Sequence, residues 1–414
     1  METHLADFVR HAEAGREAED ILRKCVHCGF CTATCPTYQL FGDELDGPRG
    51  RIYLIKQVLE GVQPTEKTRL HLDRCLTCRS CETTCPSGVR YGRLLDIGRE
   101  IVAAKLPRTG VDAVMRKALK SLLPRPGLFG PAMKLGQAFR PLLPAALKAK
   151  VPAPQTAGSW PTTSHPRRML ALAGCVQPAM LPAINVATAR VLDKLGISLI
   201  EDPKAGCCGA VRHHLDDVEG GRDDARRNID AWWPYIETGC EAIVVTASGC
   251  GVHVKDYGHL LKDDQRYAAR AERVAALARD VSEVVAAENG RLAALLGVSP
   301  RLTFPVRIAF HSPCTLQHGQ KLGGVAESLL SRAGFELTPV ADGHLCCGSA
   351  GTYSVLQAEI AGRLRENKLA ALGAGRPDVI ASANVGCITH LQEASGVPVR
   401  HWVELIDERL RGAA

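Results

Sequence analysis

Four cysteines stand at Cys25, Cys28, Cys31 and Cys35 with Pro36 directly after, and the pattern returns at Cys75, Cys78, Cys81 and Cys85 before Pro86. Each cysteine of the second run lies 50 residues beyond its counterpart. Two intervening residues let a turning backbone aim successive thiolates at neighbouring corners of one cube. The run C-x2-C-x2-C-x3-C-P is that of proteins holding two [4Fe–4S] cubanes, and its fourth cysteine commonly ligates the other cluster. The spacing therefore assigns Cys25, Cys28, Cys31 and Cys85 to one cluster and Cys75, Cys78, Cys81 and Cys35 to a second. Structural zinc takes four ligands, often as two CxxC knuckles, and fits two such runs poorly.

Eight more of the 17 cysteines form a second pattern: Cys175, Cys207, Cys208, Cys250, Cys314, Cys346, Cys347 and Cys387. Cys175 to Cys314, Cys207 to Cys346 and Cys208 to Cys347 are each shifts of 139 residues, and Cys250 to Cys387 is 137. A duplication that keeps paired thiols beside a glycine points to a third redox or metal site, since glycine permits positive φ and close approach of a bulky group. The competing reading is that these thiols pack the repeats together. Cys240 is left over and reads as a small buried thiol.

The elements that must position these residues follow from periodicity. Residues 5–24 read as one helix, and Asp46-Gly47-Pro48 as the start of another, with Asp46 as its N-cap and Gly61 as its stop. Ile52, Ile55, Val58 and Leu59 form its apolar stripe. A further helix covers YGRLLDIGREIVAAKL. Residues 105–150 carry ten basic residues against one acid, Asp112. Val111, Val114, Met115, Leu119, Leu122 and Leu123 fall at helical spacing there, with Arg116, Lys117 and Lys120 on other faces. Such a helix either lies on an anionic membrane or packs its apolar stripe inward. The Pro-rich stretch 151–166 reads as a linker.

Beyond it, each repeat opens with a strand ending at a cysteine (RRMLALAGC, VRIAFHSPC). Helices over 182–196 and 319–333 follow, then second strands (ISLIE, FELTPV), a Cys-Cys-Gly turn, a long helix and a third strand (EAIVVTASGC, DVIASANVGC). Strands alternating with helices imply parallel α/β units with their sites at strand ends. The fold class is α plus α/β. A helix-rich two-cluster ferredoxin-like domain (1–104) and a basic segment with linker (105–166) precede two tandem α/β repeats (167–300 and 301–414).

With 46% hydrophobic and 23% charged residues among 414, and a net charge of +7, the chain has the composition of a globular protein. No apolar stretch approaches the ~18 residues that would span a bilayer. The polar N-terminus shows no export signal, so the expectation is the cytoplasmic side. No G-x-G-x-x-G opens a helix after a strand, so no dinucleotide site is visible. The basic segment lacks the interleaved aromatics of a nucleic-acid binder. Arg23, Lys24, Arg74, Arg79 and Arg90 flank the cluster runs, and each reads singly as a solvated charge. His27 and His71 read as helix-surface histidines, and Trp232-Trp233-Pro234 as core.

The segments CVHCGFCTATCPTYQLFGDELDGPRGRIYLIKQVLEG, DRCLTCRSCETTCPSGVRYGRLLDIGR, NIDAWWP, TASGCG, HLCCGSAGTY and GVPVRHW carry a resemblance that runs nearly end to end. The chain resembles the iron–sulfur subunits of bacterial glycolate oxidases (glycolate dehydrogenases). More widely it is similar to subunits of anaerobic glycerol-3-phosphate dehydrogenase, a lactate-utilisation protein and heterodisulfide reductase. The resemblance implies two [4Fe–4S] clusters and a complex with flavin-bearing subunits that oxidise glycolate to glyoxylate and accept D-lactate. It also implies electron delivery to a quinone-linked respiratory acceptor at the inner membrane, with this chain not catalytic alone and only peripherally attached. Alternatives are a subunit of another flavin-linked dehydrogenase or a thiol redox protein like heterodisulfide reductase. In the latter the repeats end in CxxC and hold unusual clusters, whereas here His253 and His390 stand three residues after Cys250 and Cys387.

Overall fold

A computed structural model describes residues 1–144, 148, 150–298 and 306–412. The expected boundary between the repeats, at 300 and 301, and the two C-terminal residues lie outside the described residues. The chain divides into two compact units, Met1–Arg116 with His344–Lys368, and Lys117–Gly343 with Leu369–Ala414.

The first unit is helical around the two cysteine runs. The expected helix over 5–24 is two helices, Asp7–Arg10 and Glu13–Lys24, because the backbone extends at Ala12 and doubles back. A Cβ on Gly15 would lie 2.0 Å from the Val9 carbonyl oxygen, so only glycine lets the turn close. Leu22 and Ile21 from this helix, Ile52, Ile55 and Leu59 from Pro48–Leu59, and Leu94 and Leu95 from Tyr91–Lys105 form one core with Cys25, Cys75 and Cys81. Gly98 lets the last two helices approach, since a Cβ there would meet Ile55 Cγ1 at 2.6 Å. Pro48 takes the first helical position as expected, but the N-cap is Gly47. Asp46 is fully buried instead, its carboxylate turned inward to Arg51, His71 and Arg74. A helix over Glu66–Asp73, opened by a Thr65–Thr68 capping box, was not expected from periodicity.

The basic segment forms helices Gly110–Leu122 and Pro126–Ala138, and the first does not pack its apolar stripe inward, one of the two arrangements expected for it. Val111 and Val114 are 80% and 69% exposed, whereas Arg116 is buried against Asp73 and Asp112. Helical spacing identifies a stripe but not which stripe faces inward, and here two carboxylates draw the guanidinium in.

The second unit holds both sheets. Strands β1 (Arg167–Ala171), β2 (Ile197–Glu201), β3 (Ile243–Val245) and β4 (Ala278–Asp280) pair in parallel in the order β2-β1-β3-β4. Strands β5 (Arg307–His311), β6 (Glu336–Leu337), β7 (Val379–Ser382) and β8 (Val399–His401) repeat that order as β6-β5-β7-β8. The α plus parallel α/β class is as expected, and the fourth strand of each sheet is additional. Helices Ala183–Lys194 and Val325–Arg332 return the chain between the first two strands. The repeats pack against each other through residues just past the strand ends and through two helices. Ser248 N donates to Ala383 O at 3.0 Å, Ser248 Oγ lies 2.7 Å from Thr315 Oγ1, and Arg190 pairs with the buried Asp407.

Equivalent ends of β4 and β8 cap the helices that follow with different residues. Asp280 caps Val281–Ala287, and His401 caps Trp402–Arg411, accepting from Val403 N at Nδ1. His401 Nε2 then donates to Thr246 O at 2.9 Å, so the neutral imidazole is fully paired. Burial holds His401 down at about 4 and pushes Asp280 up to about 6. A lowered imidazole contributes stability that is present above ~6.5 and is lost as pH falls through the folded value; a raised carboxyl contributes stability present below ~3.9 and lost as pH rises through it. Each contribution is about 3 kcal/mol at ~1.4 kcal/mol per unit, and the two oppose each other between pH 4 and 6. Urea midpoints at pH 5, 6 and 7 should show His401→Gln gaining on wild type as pH falls and Asp280→Asn gaining as pH rises. Parallel profiles for the three proteins would contradict this assignment.

Candidate metal centres

Both CxxCxxC runs curl the same way. His27 and Gly29 in the first run have φ of 55° and 87°, and Thr77 and Arg79, at the same places in the second, have 51° and 59°. A left-handed conformation costs a non-glycine residue about 1–2 kcal/mol, and such strain persists where a ligand clamp requires it. One cavity of the first unit is lined by Cys25, Cys28, Cys31 and Cys85, with His27 and Arg49 at its wall. A second is lined by Cys35, Cys75, Cys78 and Cys81, with Thr37 and Arg51. Cys81, Tyr91 and Pro48 border both. The first cavity thus gathers three cysteines of the first run with Cys81 and Cys85 of the second, and the second cavity gathers three of the second run with Cys35 of the first.

The thiols are crowded, and all but Cys28, Cys31 and Cys85 are buried. Burial pushes Cys31 up to about 11, with Cys25 beside it adding to the effect, and burial followed by Cys85 raises Cys25. Cys81 is raised by burial and then by Cys78, Cys75 and Cys35. Thiols that resist ionisation by themselves become thiolates when a cation shares the site, because ligation and deprotonation are coupled. Cysteines of both runs lining each cavity on a curled backbone fit an iron–sulfur core.

The wall of the second cavity is ionic. Asp46 Oδ2 accepts from Arg74 Nη1 at 2.7 Å, while its Oδ1 lies 3.0 Å from His71 Nδ1 and 3.5 Å from Arg51 Nη2. Arg51, 1% exposed, also donates to His71 O at 2.7 Å and Thr37 Oγ1 at 3.1 Å, and its Nη1 stands 4.0 Å from Cys35 Sγ. Tyr91 donates its hydroxyl to Cys75 Sγ at 3.6 Å. His71 and Arg74 are therefore network residues, where a surface histidine and a solvated arginine were expected. Arg23 does lie at the surface, paired with Glu19, and Arg90 pairs with Glu17. Arg51 and Tyr91 went unnoticed in the sequence. The available signal was an arginine on the stripe of Ile55 and Val58, at i, i+4 and i+7.

In the first repeat the cysteines converge at the strand ends. Hydrogen bonds from Cys175 and then Cys208 hold the Cys207 thiol well below its ordinary range, and Gly209 N donates to its sulfur at 3.4 Å. Cys208 in turn bonds Cys250. The turn is tied down by Asn228 Nδ2, which donates to Cys207 O at 2.8 Å, and by the Tyr257 hydroxyl, which donates to Cys208 O at 2.8 Å. Gly209 has φ 98°, and a Cβ there would meet the Gly221 carbonyl at 2.5 Å and His253 Nε2 at 3.2 Å. Gly348 repeats this at φ 90°, with the Ala361 carbonyl at 2.6 Å. Cys346 and Cys347 are buried in the first unit, and Cys387 is buried in the second with Asn384 Nδ2 donating to its sulfur at 3.4 Å. Cys314, half-buried, precedes the Thr315–Gly319 turn. Cys240 is buried and bonds Ala242 O, and Trp232 is core, both as expected.

These features define an iron–sulfur protein with paired cysteine-rich domains. Residues 21–89 match the 4Fe-4S dicluster domain, and residues 169–255 and 308–392 each match the cysteine-rich domain. The chain is 54% identical over 411 residues, 99% of both chains, to the glycolate oxidase iron-sulfur subunit of Escherichia coli (strain K12). It is 30% identical, over 91% of its own length and 90% of the other, to the "Probable glycolate oxidase iron-sulfur subunit" of Bacillus subtilis (strain 168). Lactate utilization protein A of an Exiguobacterium species is 22% identical, over 58% of this chain and 96% of that one. The chain belongs to the family of glycolate oxidase iron–sulfur subunits.

Proposed function

We propose that this chain is the electron-carrying subunit of a flavin-linked complex that oxidises glycolate to glyoxylate, and D-lactate as well, and delivers electrons to a quinone-linked acceptor. The full-length identity to a glycolate oxidase iron–sulfur subunit carries this reading. Glycolate and flavin belong on partner subunits in this reading, because no dinucleotide fingerprint stands in the sequence. Glycolate-dependent dye reduction should therefore be absent from the purified chain and appear on adding the flavoprotein subunits. Turnover by the chain alone, or a complex indifferent to its omission, would overturn the proposal.

Cys25, Cys28, Cys31 and Cys85 would hold one [4Fe–4S] cluster, and Cys75, Cys78, Cys81 and Cys35 the other, each supplying a one-electron carrier when bound. The curled runs and the crossed lining of the two cavities support this assignment. The close sulfurs of Cys175, Cys207, Cys208 and Cys250 support a third redox or metal site, with Cys314, Cys346, Cys347 and Cys387 as its repeat. The anaerobic chain should bind about eight iron atoms as two cubanes. Cys35→Ser and Cys78→Ser should leave the same paramagnetic signal, distinct from that left by Cys28→Ser. A signal in Cys35→Ser matching Cys28→Ser would show uncrossed ligation. Metal beyond the two cubanes should fall in a Cys208→Ser, Cys347→Ser double variant, and unchanged content there would leave the repeats as scaffold.

Peripheral contact with the inner membrane is the third part of the reading. Among the described residues no helix is long and apolar enough to cross a membrane. Yet Val111, Val114, Leu128, Leu135, Phe139 and Leu142 are all more than half exposed in the basic segment. An exposed apolar face beside cations suits an anionic bilayer surface, at about 1 kcal/mol per basic residue near it. Arg116 is consumed by Asp73 and Asp112, so the informative charges are Lys117, Lys120 and Arg125. Reversing these three to glutamate should release the protein from vesicles rich in anionic lipid, as should raised salt. Undiminished sedimentation of the triple variant with vesicles would make the segment structural.

A further inference from the structure

The two cysteine cavities share a ligand pattern but not their surroundings. Cys28 of the first is exposed, and the arginine at its wall, Arg49, is 36% exposed and committed to Glu44 at 2.6 Å. Cys35, Cys75, Cys78 and Cys81 of the second are all buried. Against them stands a guanidinium that is 1% exposed, with Nη1 4.0 Å from Cys35 Sγ. The Asp46 carboxylate shares its charge among Arg51, Arg74 and His71, so the network carries at least one net positive charge beside the sulfurs.

We infer that Arg51 sets the reduction potential of the cluster held by Cys35, Cys75, Cys78 and Cys81, keeping it above the value a neutral side chain there would give. The inference rests on the two-cubane reading above. The step is the addition of one electron, from a reduced flavin of a partner in the complex or from dithionite in the cuvette. It makes an anionic thiolate-bound core more negative by one charge, and no bond forms or breaks. Net charge, hydrogen bonds to sulfur and burial are what set such potentials. A buried, permanently protonated guanidinium within reach of a ligand sulfur stabilises the reduced form more than the oxidised one. Its hydrogen bonds to His71 O and Thr37 Oγ1 and its ion pair with Asp46 fix where that charge lies.

The test is a mediated redox titration of the full-length chain with its clusters bound, followed by electron paramagnetic resonance. Signals are assigned with the Cys28→Ser and Cys78→Ser variants. Arg51→Met should weaken reduction of the second cluster at least tenfold, a shift of 59 mV for one electron, and move the first cluster less than threefold. Arg51→Lys should keep most of the wild-type value, and Asp46→Asn, which removes the counter-charge, should shift the second cluster upward. Both potentials unchanged in Arg51→Met, or both lowered equally, would overturn the inference. If Arg51→Met fails to retain its clusters, Asp46→Asn decides, and no upward shift there overturns it. Absence of two cubanes from wild type would instead sink the ligand reading on which this rests.

Discussion

A carboxylate taken out of water costs several kcal/mol unless its charge is met, and removing one partner of a buried pair costs about 3–5 kcal/mol. Asp46, fully buried, is that constraint in the first unit. Its partners come from three directions: Arg51 from the helix that follows, His71 from Glu66–Asp73, and Arg74 from the residue before Cys75. Its backbone carbonyl accepts from Thr37 Oγ1 at 2.7 Å, two residues past Cys35. One short segment thus ties the exit of the first cysteine run to the approach of the second. The convergence of Cys35 with Cys75, Cys78 and Cys81 depends on that tie more than on any property of the cysteines themselves.

The second unit solves a related problem by duplication. A parallel sheet brings its strand ends and helix starts to one edge, and both repeats place cysteines there. The adjacent thiols need a backbone that turns back between strand and helix without a side chain in the way. Gly209 and Gly348 meet that need at nearly the same φ, each against a carbonyl of the following long helix. Elsewhere the copies have diverged while keeping the physics. Asp280 and His401 cap equivalent helices, and burial disfavours the charged form of each, raising the carboxyl and lowering the imidazole. What is common to the two copies is a buried side-chain cap whose charged form the interior disfavours.

Much of this was legible in the sequence, because ligand spacing and strand–helix alternation are local. The parallel repeats, the helices at Pro48–Leu59 and Tyr91–Lys105, and the buried Cys240 and Trp232 all follow from residues close in sequence. The unread parts depend on partners far away. Asp46 has the residue type and neighbours of a helix cap, and only His71 and Arg74, 25 and 28 residues on, turn it inward. The Gly110–Leu122 helix has an apolar stripe whose facing the spacing left open, and Asp73 pulls Arg116 to the inside. The short strands β4 and β8, of three residues each, lack the length to show a period.

The intervening segment also breaks the symmetry that the repeated cysteine spacing would impose. Arg49 and Arg51 stand two residues apart on one helix, about 200° around its axis at 3.6 residues per turn. Arg49 Nη1 reaches the His27 carbonyl of the first run, in partial contact with water, and Arg51 faces the second run from the interior. A unit charge at 4 Å is felt at about 1 kcal/mol through water but about 4 kcal/mol at the effective dielectric of a protein site. Two identical ligand sets with identical surroundings would share an added electron equally and give it no direction. Placing one cation in solvent and its near neighbour in the core makes the two sites unequal while leaving the cysteine pattern untouched, and a single turn of helix is enough to do it.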